Sequence, residues 1–173
     1  NLSKFVFKHI YIEAFFDQEH FNTIINSPEI LLGEVPSDKD LFKILFKNNY
    51  KVISFPGCTT NYNEYIHKHS KKEFLKETNT ACESAGVVLR LYPKTEVLIA
   101  LNNFLASKKF NAAIAQKFNI NIDNCDIDGG IQKYLDGYEI SPHPDIRRKA
   151  ATFMVNINPN KASERYNHHT HYL

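Results

Sequence analysis

Apolar and polar residues along this chain follow two different periods. From Phe5 to Phe16 the apolar positions recur at nearly every second residue, which predicts a strand near the start. Asp17 then offers a helix cap, with His20, Phe21, Ile24 and Ile25 at helical spacing as far as about Asn26, and Pro28 ends the run. After a loop between Pro28 and Pro36, Ser37 or Asp38 caps a second helix carrying Leu41, Phe42, Ile44, Leu45 and Phe46. Lys51 to Phe55 reads as a strand closed by Pro56-Gly57, and the polar and aromatic stretch Thr59 to Tyr65 as a loop. Ser70 with Glu73 has the form of a capping box opening a further helix through Phe74, Leu75, Thr78 and Cys82.

Gly86 to Tyr92 fits either a helix end or a buried strand, and its Val, Tyr and leading Gly favour the strand. Thr95 to Leu105 and Ser107 to Phe118 are predicted helices, the second with Phe110, Ile114 and Phe118 on one face. Asn119 to Gly130 is rich in turn formers, and strands are expected from about Ile131. In the last of them Phe153, Val155 and Ile157 alternate with Thr152, Met154, Asn156 and Asn158, so one face is apolar and the other polar. The expectation is a single domain over residues 1–173, with residues 1–126 a mostly helical support and residues 127–173 the start of a β core.

Composition narrows the class. Hydrophobic residues make up 43% of the 173, with thirteen Phe and nine Tyr, which describes a chain able to bury a core rather than a disordered one. A net charge of +2 is too small to indicate a nucleic-acid partner, and Lys68, Lys71 and Lys72 read as a solvated helix face. No apolar run is long enough to cross a bilayer and the amino terminus lacks a signal-peptide pattern, so a cytoplasmic protein with no membrane partner is expected. Cys58, Cys82 and Cys125 lack disulfide-framework or zinc-site spacing, which fits a reducing compartment.

Candidate chemistry concentrates between Gly129 and Asn158. His143 and Asp145 are two residues apart, and in extended backbone residues i and i+2 point the same way, so an imidazole and a carboxylate can converge on one ion. Two His and one carboxylate leave open positions on Fe(II) for oxidant and co-substrate together. Taken alone, His143 and Asp145 also suit a turn in which the carboxylate caps backbone N–H groups. Tyr134 equally suits cross-strand packing, and Asn156 a structural polar role.

The surrounding residues, Tyr134, Gly137, Pro142-His143-Pro144-Asp145, Thr152 and Asn158, resemble the 2-oxoglutarate and Fe(II) dependent dioxygenases, in their prolyl 4-hydroxylase-like branch. The opening His9 to Phe16 and its following helix also look like the start of such enzymes. The resemblance implies an α+β fold, with a double-stranded β-helix (jelly roll) supported by amino-terminal helices. It implies Fe(II) held by His143 and Asp145, and 2-oxoglutarate contacted by Tyr134 and, at a position where relatives carry Tyr, by Asn156. It implies hydroxylation, with O2, of an unactivated C–H bond in a small-molecule or peptidyl, including prolyl, substrate.

Relatives carry their second His ligand and a 2-oxoglutarate-binding Arg or Lys further beyond the Asp than Leu173, where this sequence stops. Three expectations stay open. The favoured one is a chain that is part of a longer enzyme, with the jelly roll incomplete at its carboxyl end. His169 or His171 completing a site, as in a cupin-type metal enzyme, is the second, and a catalytically inactive jelly-roll binding or structural module the third. Arg147 and Arg148 could attract an anion but are expected on the surface, as are His168, His169 and His171.

Overall fold

A computed structural model of the chain describes residues 8–55, 58–71, 84–140 and 147–160. In chain order the elements are α1 (Gln18–Ile25), α2 (Asp38–Lys47), β1 (Tyr50–Val52), α3 (Tyr62–Ser70), β2 (Ser84–Ala85), β3 (Val88–Leu91), α4 (Glu96–Ala106), α5 (Lys108–Phe118), a 3-10 turn (Ile122–Asn124), β4 (Gln132–Tyr134) and β5 (Glu139–Ile140). They group into two compact units that interleave along the sequence: residues 8–31, 95–129 and 147–160 in one, and residues 32–55, 58–71, 84–94 and 130–140 in the other. Among the described residues no helix is long and apolar enough to cross a membrane.

The first unit is helical. Asp17 caps α1 by accepting from the His20 N–H at 2.9 Å, and Ser37 does the same for α2 in the second unit through Asp40. Ile24, Ile30, Leu98, Leu101 and Ala115 are buried. The buried Asn111 sits where α4 hands over to α5, and its Nδ2 donates at 2.7 Å to the Leu105 carbonyl in the last turn of α4 and at 2.9 Å to the Ser107 carbonyl, which also accepts from the Asn111 N–H at 3.1 Å. Phe15, Phe104, Phe110 and Phe153 form an aromatic chain with centroids 5.0 to 6.4 Å apart.

The second unit is built on a three-stranded antiparallel sheet in the order β1-β3-β4, with Tyr50 opposite Leu91, Leu89 opposite Lys133, and Arg90 between Lys51 and Gln132. Val88 and Leu89 are both fully buried, and neighbouring strand residues face opposite ways, so β3 is covered on both faces. Phe42 and Leu45 of α2 and Tyr65 of α3 join this core. A two-stranded ladder, β2 with β5, places Ala85 opposite Glu139. Gly86 follows directly at φ +102°, and a Cβ there would lie 3.1 Å from the Tyr138 nitrogen, so the close passage requires glycine.

Several expectations are corrected. Residues 8–16 form neither helix nor strand: Ala14 takes a left-handed φ of 48°, which breaks the extended run, and Phe15 packs on the α4–α5 aromatic chain instead. The expected loop Thr59 to Tyr65 holds the first residues of α3, because Asn61 caps a helix there. Ser70 is the last residue of α3, its hydroxyl donating back to the His67 carbonyl at 2.8 Å, while Glu73, Phe74, Leu75, Thr78 and Cys82 of the expected helix lie outside the described residues. Residues 152–158 belong to no strand, although Val155 and Ile157 remain more covered than Asn156 and Asn158. Alternation alone does not make a strand without a hydrogen-bonded neighbour. Among the described residues the β structure comprises the three-stranded sheet and the two-stranded ladder, and no jelly roll is seen in them.

Candidate functional site

Strand β4 is set by its apolar neighbours. Ile131 and Leu135 are buried on one side of the sheet, which turns Gln132 and Tyr134 together to the other. The Tyr134 hydroxyl donates to Gln132 Oε1 at 2.6 Å, and its ring meets that of Tyr138 at 4.5 Å between centroids. Tyr138 in turn lies 6.2 Å from the Phe55 ring. Tyr134 is nevertheless 45% exposed, so one edge of the phenol remains accessible.

Partial burial of the ring, with Cys58 nearby, raises the Tyr134 phenol above the usual tyrosine range, and burial with Tyr134 and Cys58 beside it raises Tyr138 further. Both therefore remain neutral hydroxyls near neutral pH. A neutral hydroxyl can donate to a carboxylate, whereas a phenolate would repel it.

Residues directly opposite in an antiparallel pair share a face, so Lys51, Arg90 and Gln132 form a row across the three strands beside Tyr134. The Arg90 side chain passes over Gly130, where a Cβ would come within 3.3 Å of Arg90 Cδ. Lys51 Nζ sits 4.8 Å from the Tyr92 ring centroid. This face combines cationic groups with a phenolic donor, a combination suited to an organic anion. On the opposite face Lys133 stands in register with the buried Leu89, and burial pushes its amine below the usual lysine range.

A second polar cluster joins α2, α3 and the turn after β4. His69 Nδ1 lies 2.5 Å from Asp38 Oδ2, and His69 Nε2 lies 2.9 Å from Asp136 Oδ2. The His69 ring stacks on that of Tyr65 at 5.4 Å and 16°, and the buried Tyr65 donates its hydroxyl to the Asp136 carbonyl at 2.9 Å. Burial opposes the charged imidazole, but the hydrogen bonds that it donates to Asp38 and Asp136 outweigh this and the His69 pKa is raised. The two ring nitrogens point to opposite carboxylates and cannot converge on one ion. Among the described residues no group of three or more His, Cys, Asp or Glu is arranged to hold a metal.

Of the residues singled out from sequence, His143 and Asp145 lie outside the described residues, as do His168, His169 and His171. Tyr134 belongs to the unit that contains β4, and Asn156 to the other. The Asn156 side chain is engaged locally: its Oδ1 accepts from the Asn158 N–H at 2.9 Å, and Asn158 Oδ1 accepts from the Asn160 N–H at 2.9 Å. These successive Asx turns give Asn156 the structural role that its residue type also suited. Arg147 and Arg148 are exposed, as expected.

No motif in the sequence marks His69. The signal for its position is Asn61 three residues before Glu64, a cap pattern that starts α3 and puts Tyr65 and His69 one turn apart on one face. No family model, curated protein or solved structure matches the chain.

Proposed function

We propose that this chain is, or belongs to, an Fe(II)- and 2-oxoglutarate-dependent oxygenase that hydroxylates an unactivated C–H bond of a small-molecule or peptidyl substrate. The single observation that carries the reading is the motif Tyr134, Gly137, Pro142-His143-Pro144-Asp145, with Tyr134 on a strand and its phenol half exposed beside Arg90 and Gln132. Its full core is proposed to be a jelly roll with helices supporting it.

The donor set fits the metal by its chemistry: an imidazole and a carboxylate suit Fe(II), and His143 and Asp145 would hold it. When bound, iron with 2-oxoglutarate and O2 supplies the oxidising power for hydroxylation. Tyr134 would turn its one hydroxyl proton from Gln132 Oε1 to a carboxylate of the co-substrate, and the Gln132 amide, presenting its Nε2, would donate to the hydroxyl oxygen in return. Arg90 and Lys51 would favour approach of the dianion. Asn156 remains a candidate co-substrate contact, although its acceptor oxygen is already used by Asn158. Cys58 and Cys125, neither of them in a disulfide, are consistent with the proposed cytoplasmic setting.

Anaerobic addition of Fe(II) and 2-oxoglutarate to the full gene product tests the reading. A weak visible charge-transfer band is expected in the wild type and is expected to be lost in His143→Ala. If neither a band nor metal-dependent thermal stabilisation develops, the oxygenase reading is wrong and a non-catalytic module takes its place. If metal affinity survives intact in His143→Ala, that residue is not a ligand.

A further inference from the structure

His69 is placed to do more than complete a surface. Its two ring nitrogens each face a carboxylate oxygen, at 2.5 Å to Asp38 and 2.9 Å to Asp136. An ionised carboxylate accepts and cannot donate, whereas a neutral imidazole has one N–H and one bare nitrogen. With neutral His69, one of the two contacts would set lone pair against lone pair. The geometry therefore calls for the imidazolium, which donates to both sides at once.

The two carboxylates sit on different parts of the chain. Asp38 opens α2, which Ser37 caps, while Asp136 lies in the turn closed by the Tyr138 N–H to the Leu135 carbonyl at 3.1 Å. That turn joins β4, which carries Tyr134, to β5, and β5 runs on toward Pro142 and His143. Tyr65 braces the same turn, with its ring against His69 and its hydroxyl on the Asp136 carbonyl.

We propose that protonated His69 is a positioning residue that ties the β4–β5 turn to α2 and α3, and thereby fixes β5, from whose end the sequence continues to His143 and Asp145. Among the described residues, the titratable groups seen facing it are Asp38 from α2, Tyr65 from α3 and Asp136 from the turn. The tie holds while His69 is charged and weakens as pH rises through its raised pKa, because one donor is then lost. Its bearing on catalysis rests on the oxygenase reading; the tie itself does not.

Three measurements on the full chain test this. Nitrogen-15 spectra of labelled histidines are expected to show both His69 ring nitrogens protonated at neutral pH, and a bare nitrogen there overturns the proposal. The second measurement is hydrogen exchange, corrected for intrinsic rates. In the wild type, protection of the Tyr138 amide and of the β2–β5 ladder is expected to fall about tenfold as His69 deprotonates, with the β1–β3 ladder unchanged. In His69→Phe, which keeps a ring on Tyr65, that protection is expected to be low at every pH.

Equal protection in wild type and variant at neutral pH overturns the tie. Should His69→Phe fail to fold, Asp136→Ala, which removes that acceptor and keeps the Asp38 contact, is expected to show the same local loss, and unchanged protection there counts equally against it. Third, anaerobic titration with Fe(II) and 2-oxoglutarate should give about tenfold weaker binding in the variant. Equal affinity removes the positioning role. Absence of binding in the wild type defeats the oxygenase reading instead, and the first two measurements still decide the tie.

Discussion

At the scale of single residues, Glu29 shows how a buried charge can serve structure. Thr95 precedes α4 but makes no side-chain cap of its own, and Glu29 Oε2 instead accepts from the Thr95 hydroxyl at 2.5 Å and the Thr95 N–H at 3.2 Å. The carboxylate is 3% exposed and lies at the positive end of the helix dipole. Glu29→Ala leaves those donors inside without their acceptor and is expected to cost about 1–3 kcal/mol. Glu29→Gln keeps an acceptor and should cost less. Urea unfolding of the two variants checks this, and a midpoint unchanged in Glu29→Ala would contradict it. Nothing in the local sequence marks Glu29 as a cap, since its helix begins at Glu96. Tyr134 stood out only by its place ahead of Gly137 and Pro142-His143-Pro144-Asp145 in the motif. The Asn156 Asx turn was legible only as a tendency of its residue type.

At the scale of elements, helices announced by both a cap and an apolar stripe were readable from sequence. Asp17 caps α1 as expected, Ser37 rather than Asp38 caps α2, and Ser107, read as the first residue of a helix, caps α5. Helix α3 lacked the stripe, because its buried contact is a single tyrosine, Tyr65. Its start depends correspondingly on Asn61, whose Oδ1 accepts from the N–H groups of Asn63 and Glu64 at 3.1 and 3.3 Å, while Thr59 bonds Glu64 at 2.9 Å. Asn61→Ala is expected to destabilise by about 1 kcal/mol, and Asn61→Asp by far less. Circular dichroism followed through denaturant unfolding checks this, and equal loss in both variants would sink the capping account. Strands were harder to read than helices. β1 and β4 span three residues each, too short for periodicity to declare them, and are made by their pairing with β3.

At the scale of the whole molecule, charge pairing makes stability depend on pH in two windows. The His69 pKa is raised above its ordinary 6.5, so its contribution is complete below the unfolded value and lost as pH rises through the folded one. At the acid end the sign reverses. Asp17, held low by the His20 backbone N–H, Asp40 by Lys43 and Glu64 by Lys68 stabilise above the carboxylate range and cease to do so as pH falls through it. These three are surface groups with small effects. Wild-type midpoints in urea are therefore expected to drop as pH rises above the ordinary histidine value and through the raised His69 pKa, and that slope should flatten in His69→Phe. A parallel slope in both proteins would assign it to another group.

Residues a turn or less apart were enough to determine the helix starts at Asp17, Ser37 and Ser107, the turn-rich stretch after Asn119, the buried run at β3 and the His143-Pro144-Asp145 motif. Caps and periodicity act through neighbours along the chain, so they are written in local order. Tertiary structure alone decided that Glu29 caps α4, that Phe15 leaves an extended run to join Phe104 and Phe110, and that Asp38, His69 and Asp136 meet at one imidazole. Those meetings follow from chain closure and from which surfaces can be buried together, and no window of sequence contains both partners.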